Sequence, residues 1–217
     1  MSLRRALALS LLSTCAAACA TTAAERPAVE VDVARYIPLG VGASWTYAVR
    51  YPGQDGEMTV RLTEEKDGYW LDDRGGAWRL TRDGLRDRMR YLVKRPAVEG
   101  TSWRTVVGPS AVEHAQITHA GAPCEVRAGS FPRCLVVHSW IKQDDKLTLH
   151  IEWTFVEDVG LARLDTYADI RGKGQVPQVR QDLIRWTLPG GQGGAAPAAP
   201  PPSAVDAEGA PAAWSSP

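Results

Sequence analysis

Between residues 44 and 188 apolar and polar side chains alternate with a period of two. Trp45, Tyr47, Val49 and Tyr51 alternate with Ser44, Thr46, Ala48 and Arg50. Met58, Val60 and Leu62 alternate with Thr59, Arg61 and Thr63. Leu147, Leu149, Ile151, Trp153 and Phe155 alternate with Thr148, His150, Glu152 and Thr154, and Ile184, Trp186 and Leu188 repeat the spacing near the end. Successive side chains of a strand point to opposite faces. Each run therefore predicts a strand with one face in a core and the other in water. Turn residues separate the runs: Pro52-Gly53-Gln54-Asp55-Gly56, Lys66-Asp67-Gly68, Arg74-Gly75-Gly76, Arg82-Asp83-Gly84 and Asp158-Val159-Gly160. Asp-Gly and Gly-Gly supply the positive φ of tight hairpins. The links are too short for crossover helices, so neighbouring strands pair antiparallel. The reading is all-β: an antiparallel meander of about ten to twelve strands, curled into a barrel-like sheet or a sandwich. Residues 85–94 fit a helix or a strand equally well.

The first residues break this pattern. Arg4 and Arg5 precede an apolar run over residues 6–12, and small residues follow over 13–24. That order is the charged region, apolar region and cleavage zone of a secretory signal. The run is too short to span about 30 Å of hydrocarbon, and no other segment reaches the length of a transmembrane helix. Leu12-Ser13-Thr14-Cys15 and Ala16-Ala17-Ala18-Cys19 each resemble a bacterial lipobox, whose cysteine carries lipid at the mature N-terminus. Thr14 is a poor residue before the cysteine, and Ala16 stands where leucine is usual. Cys19 is the preferred attachment residue, with Cys15 as its alternative and plain signal-peptidase cleavage as the competing reading. The layout follows: a signal peptide over 1–19, a tether over 20–35, an antiparallel β domain over 36–188, and a disordered tail over 189–217. In that tail, 20 of the residues 190–217 are Gly, Ala or Pro. Such a segment buries too little apolar surface to offset its ordering entropy.

Composition narrows the partners. The chain of 217 residues has 25 basic and 25 acidic side chains. Loss of Arg4 and Arg5 with the signal leaves a net charge of −2. No basic patch points to nucleic acid. The membrane is expected as a partner through the lipid anchor alone. Eight Trp against two Phe suit half-buried strand faces. They also suit an apolar ligand cavity inside a curled sheet.

Pro38-x3-Gly42-x2-Trp45 recurs as Pro96-x3-Gly100-x2-Trp103. The opening stretch, Pro38-Leu39-Gly40-Val41-Gly42-Ala43-Ser44-Trp45-Thr46-Tyr47, resembles the Pro-Leu-x-x-Gly-x-x-Trp-x-Tyr first strand of a group of uncharacterised bacterial envelope lipoproteins. Gly100-Thr101-Ser102-Trp103, the segment Ala128-Gly129-Ser130-Phe131-Pro132-Arg133-Cys134 and the hairpin Glu157-Asp158-Val159-Gly160-Leu161-Ala162 are similar to it too. The resemblance spans residues 36–188 and implies an antiparallel β domain on a lipoprotein or secreted carrier. That group has no established activity, so no residue inherits a role.

Chemistry is sparse. Cys124 and Cys134 flank a turn, and in an oxidising compartment such a pair persists as a disulfide, worth roughly 2–3 kcal/mol; two free thiols are the alternative. The histidines are His114, His119, His138 and His150, without His-Glu-x-x-His spacing. His150 lies on the polar side of a strand, where solvent exposure is expected. His114 and His119 differ by five positions, which places them on opposite faces. Asp72-Asp73 and Asp144-Asp145 are neighbours that point apart, poorly placed for acid–base work. Arg79, Arg82, Arg86, Arg88 and Arg90 read as a solvated edge. Neither a cofactor nor a metal is expected, and no catalytic residue. The chain reads as a non-enzymatic envelope lipoprotein of structural or interaction role; the alternative is a periplasmic carrier of a lipid or other apolar ligand in a β cavity.

Overall fold

The computed structural model describes residues 29–195. The signal region with Cys15 and Cys19, the first part of the tether and most of the tail lie outside the described residues. A 3-10 turn, Val33–Tyr36, precedes thirteen strands. They are β1 Ser44–Tyr51, β2 Gln54–Lys66, β3 Tyr69–Asp72, β4 Ala77–Thr81, β5 Gly84–Arg86, β6 Tyr91–Lys94, β7 Ser102–Gly108, β8 Ala111–Val126, β9 Gly129–Lys142, β10 Leu147–Val156, β11 Gly160–Ile170, β12 Gly174–Thr187 and β13 Gly193–Ala195. The hydrogen-bonded order is β6-β5-β4-β3-β2-β1-β12-β11-β10-β9-β8-β7, with β13 added to β12. All pairs are antiparallel. This is the predicted meander, and it takes the barrel-like form: the twelve-stranded sheet is nearly closed.

The sheet ends at β6 and β7, and two side-chain contacts bridge that seam. Trp103 Nε1 donates to the Tyr91 carbonyl at 3.1 Å. Arg90, in the β5–β6 turn, donates to Glu113 on β8 at 2.6 Å. The ambiguous segment 85–94 is therefore two short strands, split where Asp87 Oδ1 accepts from the amides of Met89 and Arg90. Arg90 departs from the expectation of a solvated edge: it reaches the buried Glu113, and its guanidinium lies 5.7 Å from the Trp153 ring centroid.

The two Pro-x3-Gly-x2-Trp stretches adopt matching turns. Gly42 and Gly100 have φ of 88° and 89°. Gly42 donates to Leu62 O while Leu62 donates back to Ala43 O; Gly100 and Ile117 do the same with Thr101. Each turn opens a hairpin and delivers a buried tryptophan.

Apolar strand faces meet in two clusters. One gathers Val33, Tyr36, Leu92, Trp103, Ile117, Leu135 and Phe155. The other gathers Trp45, Tyr47, Leu62, Val126, Val156 and Leu183. Two margins differ from the sequence reading. Val33 belongs to the core although the sequence pattern places it in a tether ending at residue 35, because Val31 bonds the Ala97 carbonyl and seats the 3-10 turn. Within the segment read as disordered, Gly193–Ala195 pairs with Arg185–Thr187.

Candidate functional site

Between the two clusters the barrel holds a cavity of about 260 Å³. Its aromatic walls are Trp45, Tyr47, Trp78 and Trp153, with Leu39, Leu62 and Leu164 among the aliphatic ones. An aromatic with an unpaired N–H or O–H would make such a wall polar. For Trp45, Tyr47 and Trp78 those groups are taken up by the protein. Trp45 Nε1 donates to Val159 O at 2.7 Å, Tyr47 OH to Leu161 O at 2.9 Å, and Trp78 Nε1 to Asp72 Oδ2 at 3.0 Å. Burial holds the Tyr47 phenol far above its ordinary pKa, so it stays protonated and donating. Asp72, Asp87 and Gln181 are the polar lining. Asp72 is also committed, since Oδ1 accepts the amides of Arg74 and Gly76. The walls thus present hydrocarbon and ring faces. The volume lies just below the usual range for small-molecule pockets, roughly 300–1,000 Å³.

A second constellation stands on the outer face of β9–β12. Directly opposite residues share a face and neighbour one another. His138 faces Glu152, Glu152 faces Asp165, and Asp165 faces Arg180. One step along, Trp140 faces His150 and His150 faces Tyr167. His138 Nε2 and His150 Nδ1 are 3.0 Å apart, and the Tyr167 hydroxyl is 3.4 Å from the same Nε2. The imidazole planes differ by 3° and their centroids by 5.1 Å. With 3.0 Å between nitrogens, those values mean edge-to-edge rings joined by a hydrogen bond. Burial, then the facing His150, lowers the His138 pKa; burial lowers that of His150, against the pull of Asp169. Both rings are therefore neutral at pH 7, and one donates its N–H to the other.

Beside them lies an ion-pair row. Asp182 receives Arg163 at 2.8 Å and Arg180 at 2.7 Å. Burial pushes the Asp182 carboxyl up, but those two hydrogen bonds outweigh it and hold the carboxyl below its ordinary range. Burial raises Asp165, which Arg180 approaches only to 3.7 Å. A groove of about 330 Å³ runs over His119, His138, Glu152, Arg163 and Tyr167. Among the described residues, no three His, Cys, Asp or Glu side chains already converge as a metal cage.

Two readings of the histidines need correction. His150 is half-buried and bonded to His138 rather than free in solvent. His114 and His119 do not fall on opposite sides. The β8–β9 register slips between Ile117 and His119, so His119 joins the outer groove while His114 stacks on Trp140. The adjacent aspartates serve turns, as Asp144 Oδ1 accepts from Lys146 and Leu147. The Cys124 and Cys134 sulfurs lie at bonding distance, with Cα atoms 5.9 Å apart.

The fold and cavity define a nearly closed antiparallel β barrel with an apolar interior space. No protein-family model matches the sequence, and no curated protein matches it. Among solved structures it is similar to a protein described as exported, with a YmcC-like fold, from Bacteroides fragilis NCTC 9343. That match has 11% identity, a TM-score of 0.41, and covers 70% of this chain and 98% of the other. It is also similar to a protein described as a lipoprotein, from Parabacteroides distasonis ATCC 8503, with 10% identity, a TM-score of 0.36 and the same coverages. At these scores neither likeness carries a function across.

Proposed function

We propose that this chain is an exported envelope protein that carries a small apolar ligand inside its β barrel. The observation that carries the reading is the cavity. The polar atoms of Trp45, Tyr47 and Trp78 are tied off by the protein, which leaves a mainly apolar interior with a carboxylate and amide fringe. A scaffold role alone does not call for such a space, since protein interiors are otherwise packed to the density of organic crystals. Export rests on the signal pattern of residues 1–24, and the anchor on Cys19, with Cys15 as the alternative. Export and the sulfur placement both support a disulfide between Cys124 and Cys134.

Intact mass spectrometry of the chain taken from the envelope fraction tests all parts together. Under denaturing conditions the expected mass lacks residues 1–18, gains an acylated N-terminal cysteine, and rises by about 2 Da on reduction of one disulfide. Under native conditions an additional small, apolar mass is expected, and it is lost when Leu164→Trp fills the cavity. A native mass equal to the denatured one, after gentle extraction and after incubation with N-phenyl-1-naphthylamine, overturns the carrier reading. An unacylated mass in both wild type and Cys19→Ala overturns the anchor.

A further inference from the structure

We propose that His138 and His150 form a divalent transition-metal site on the outer face of the barrel, with Glu152 as third ligand and Cu2+ as the best-fitting ion. The site is separate from the ligand cavity and does not depend on it. Two imidazole nitrogens bind one ion only if their separation suits its geometry. Ligands at about 2.0–2.1 Å and at right angles stand about 2.8–3.0 Å apart. His138 Nε2 and His150 Nδ1 are 3.0 Å apart, which matches the cis positions of a tetragonal ion such as Cu2+ or Ni2+. Among divalent ions at one nitrogen site, Cu2+ binds most tightly.

The hydrogen bond between the two imidazoles is broken on metal entry, when each ring turns a nitrogen lone pair toward the ion. Glu152 stands opposite His138 on β10, two positions from His150, which sets its carboxylate on the same face of the sheet as the pair. Among the described residues no salt bridge holds Glu152, whereas Asp182 is gripped by two arginines. Tyr167, with its hydroxyl 3.4 Å from His138 Nε2, closes one flank, and the groove leaves the other side open to water. Charged and titratable groups facing the pair are Glu152 and Asp169, with Asp165 and Arg163 one position further.

The test is calorimetric titration of the full chain, in detergent and without a polyhistidine tag, with CuCl2 and then NiCl2 at pH 7.5. One Cu2+ per chain is expected. Affinity is expected to fall more than ~10-fold in His138→Gln and in His150→Gln, since even an outer-shell partner is worth that much. A several-fold loss is expected in Glu152→Gln and none in His114→Gln. Electron paramagnetic resonance of the wild-type complex is expected to show coupling to two imidazole nitrogens, and this reading holds even if a variant fails to fold. No Cu2+ binding by wild type, a spectrum without imidazole nitrogen, or wild-type affinity in the double His138→Gln/His150→Gln variant overturns the proposal. Unchanged affinity in Glu152→Gln removes the carboxylate from it.

Discussion

The tryptophan at the head of β1 shows how one residue governs its surroundings. Trp45 packs its indole over Gly160, whose φ is 111°, and reaches past it to the Val159 carbonyl. A Cβ at position 160 would meet Trp45 Nε1 at 2.7 Å. Gly160 is thus required twice, for its backbone conformation and for the indole above it. Gly160→Ala should cost roughly 1–3 kcal/mol from backbone strain alone, and more from displacing Trp45. Urea unfolding followed by tryptophan fluorescence measures it. A loss below about 0.5 kcal/mol would mean that the hairpin shifts freely. Val159 and Gly160 were legible in sequence as a turn, but the partner that makes the glycine obligatory lies on a strand more than a hundred positions away.

Among the elements, long hairpins were readable and short ones were not. β1, β2 and β10 alternate over enough residues to declare a face, whereas a register break in β12 puts Leu183 rather than Ile184 in the core. β5 and β6 have three and four residues each, too few for alternation to separate strand from helix. The histidine pair was hidden for a different reason. Facing partners follow from register, and register follows from the turn at residues 143–147, which sets Lys142 opposite Thr148. Carried back along β9, that register places His138 beside Glu152 and one step from His150. The pair also has a thermodynamic signature. An imidazole whose native pKa lies below its unfolded value of about 6.5 releases a proton on folding. Its stabilising contribution is full above the unfolded pKa and is lost as pH falls toward the depressed native one. Wild type should therefore lose stability between pH 7.5 and pH 5.5 more steeply than His138→Gln/His150→Gln in urea midpoints. Asp165, raised by burial, has the opposite sign and is present in both proteins. Parallel pH profiles for the two would show that the imidazoles titrate alike folded and unfolded.

For the whole molecule the governing question is how a meander closes into a container. Every sequential strand pair shares a ladder except β6 and β7, so the barrel closes through side chains at that seam. Glu113 points into the interior with only 5% of its side chain exposed, and Arg90, 19% exposed, meets it from the far side of the seam. Coulomb attraction across this pair is largely offset by the desolvation of both charges, so the pair adds little net stability over apolar packing. Its effect lies in specificity: a buried carboxylate tolerates only the arrangement that brings the guanidinium to it. Arg90→Met keeps the chain length and removes the charge, which leaves Glu113 buried and unpaired at a cost of about 3–5 kcal/mol. Adding Glu113→Leu removes the stranded charge, and the double variant should return to within about 1 kcal/mol of wild type. The two outcomes separate a closing contact from a passive one. If Arg90→Met alone is as stable as the double variant, Glu113 finds water through the seam and the barrel is open there. If both single variants are costly and the double is not, the seam is shut by this ion pair. Ligand would then enter the cavity elsewhere, past the half-buried Leu39 and Trp78 of its rim.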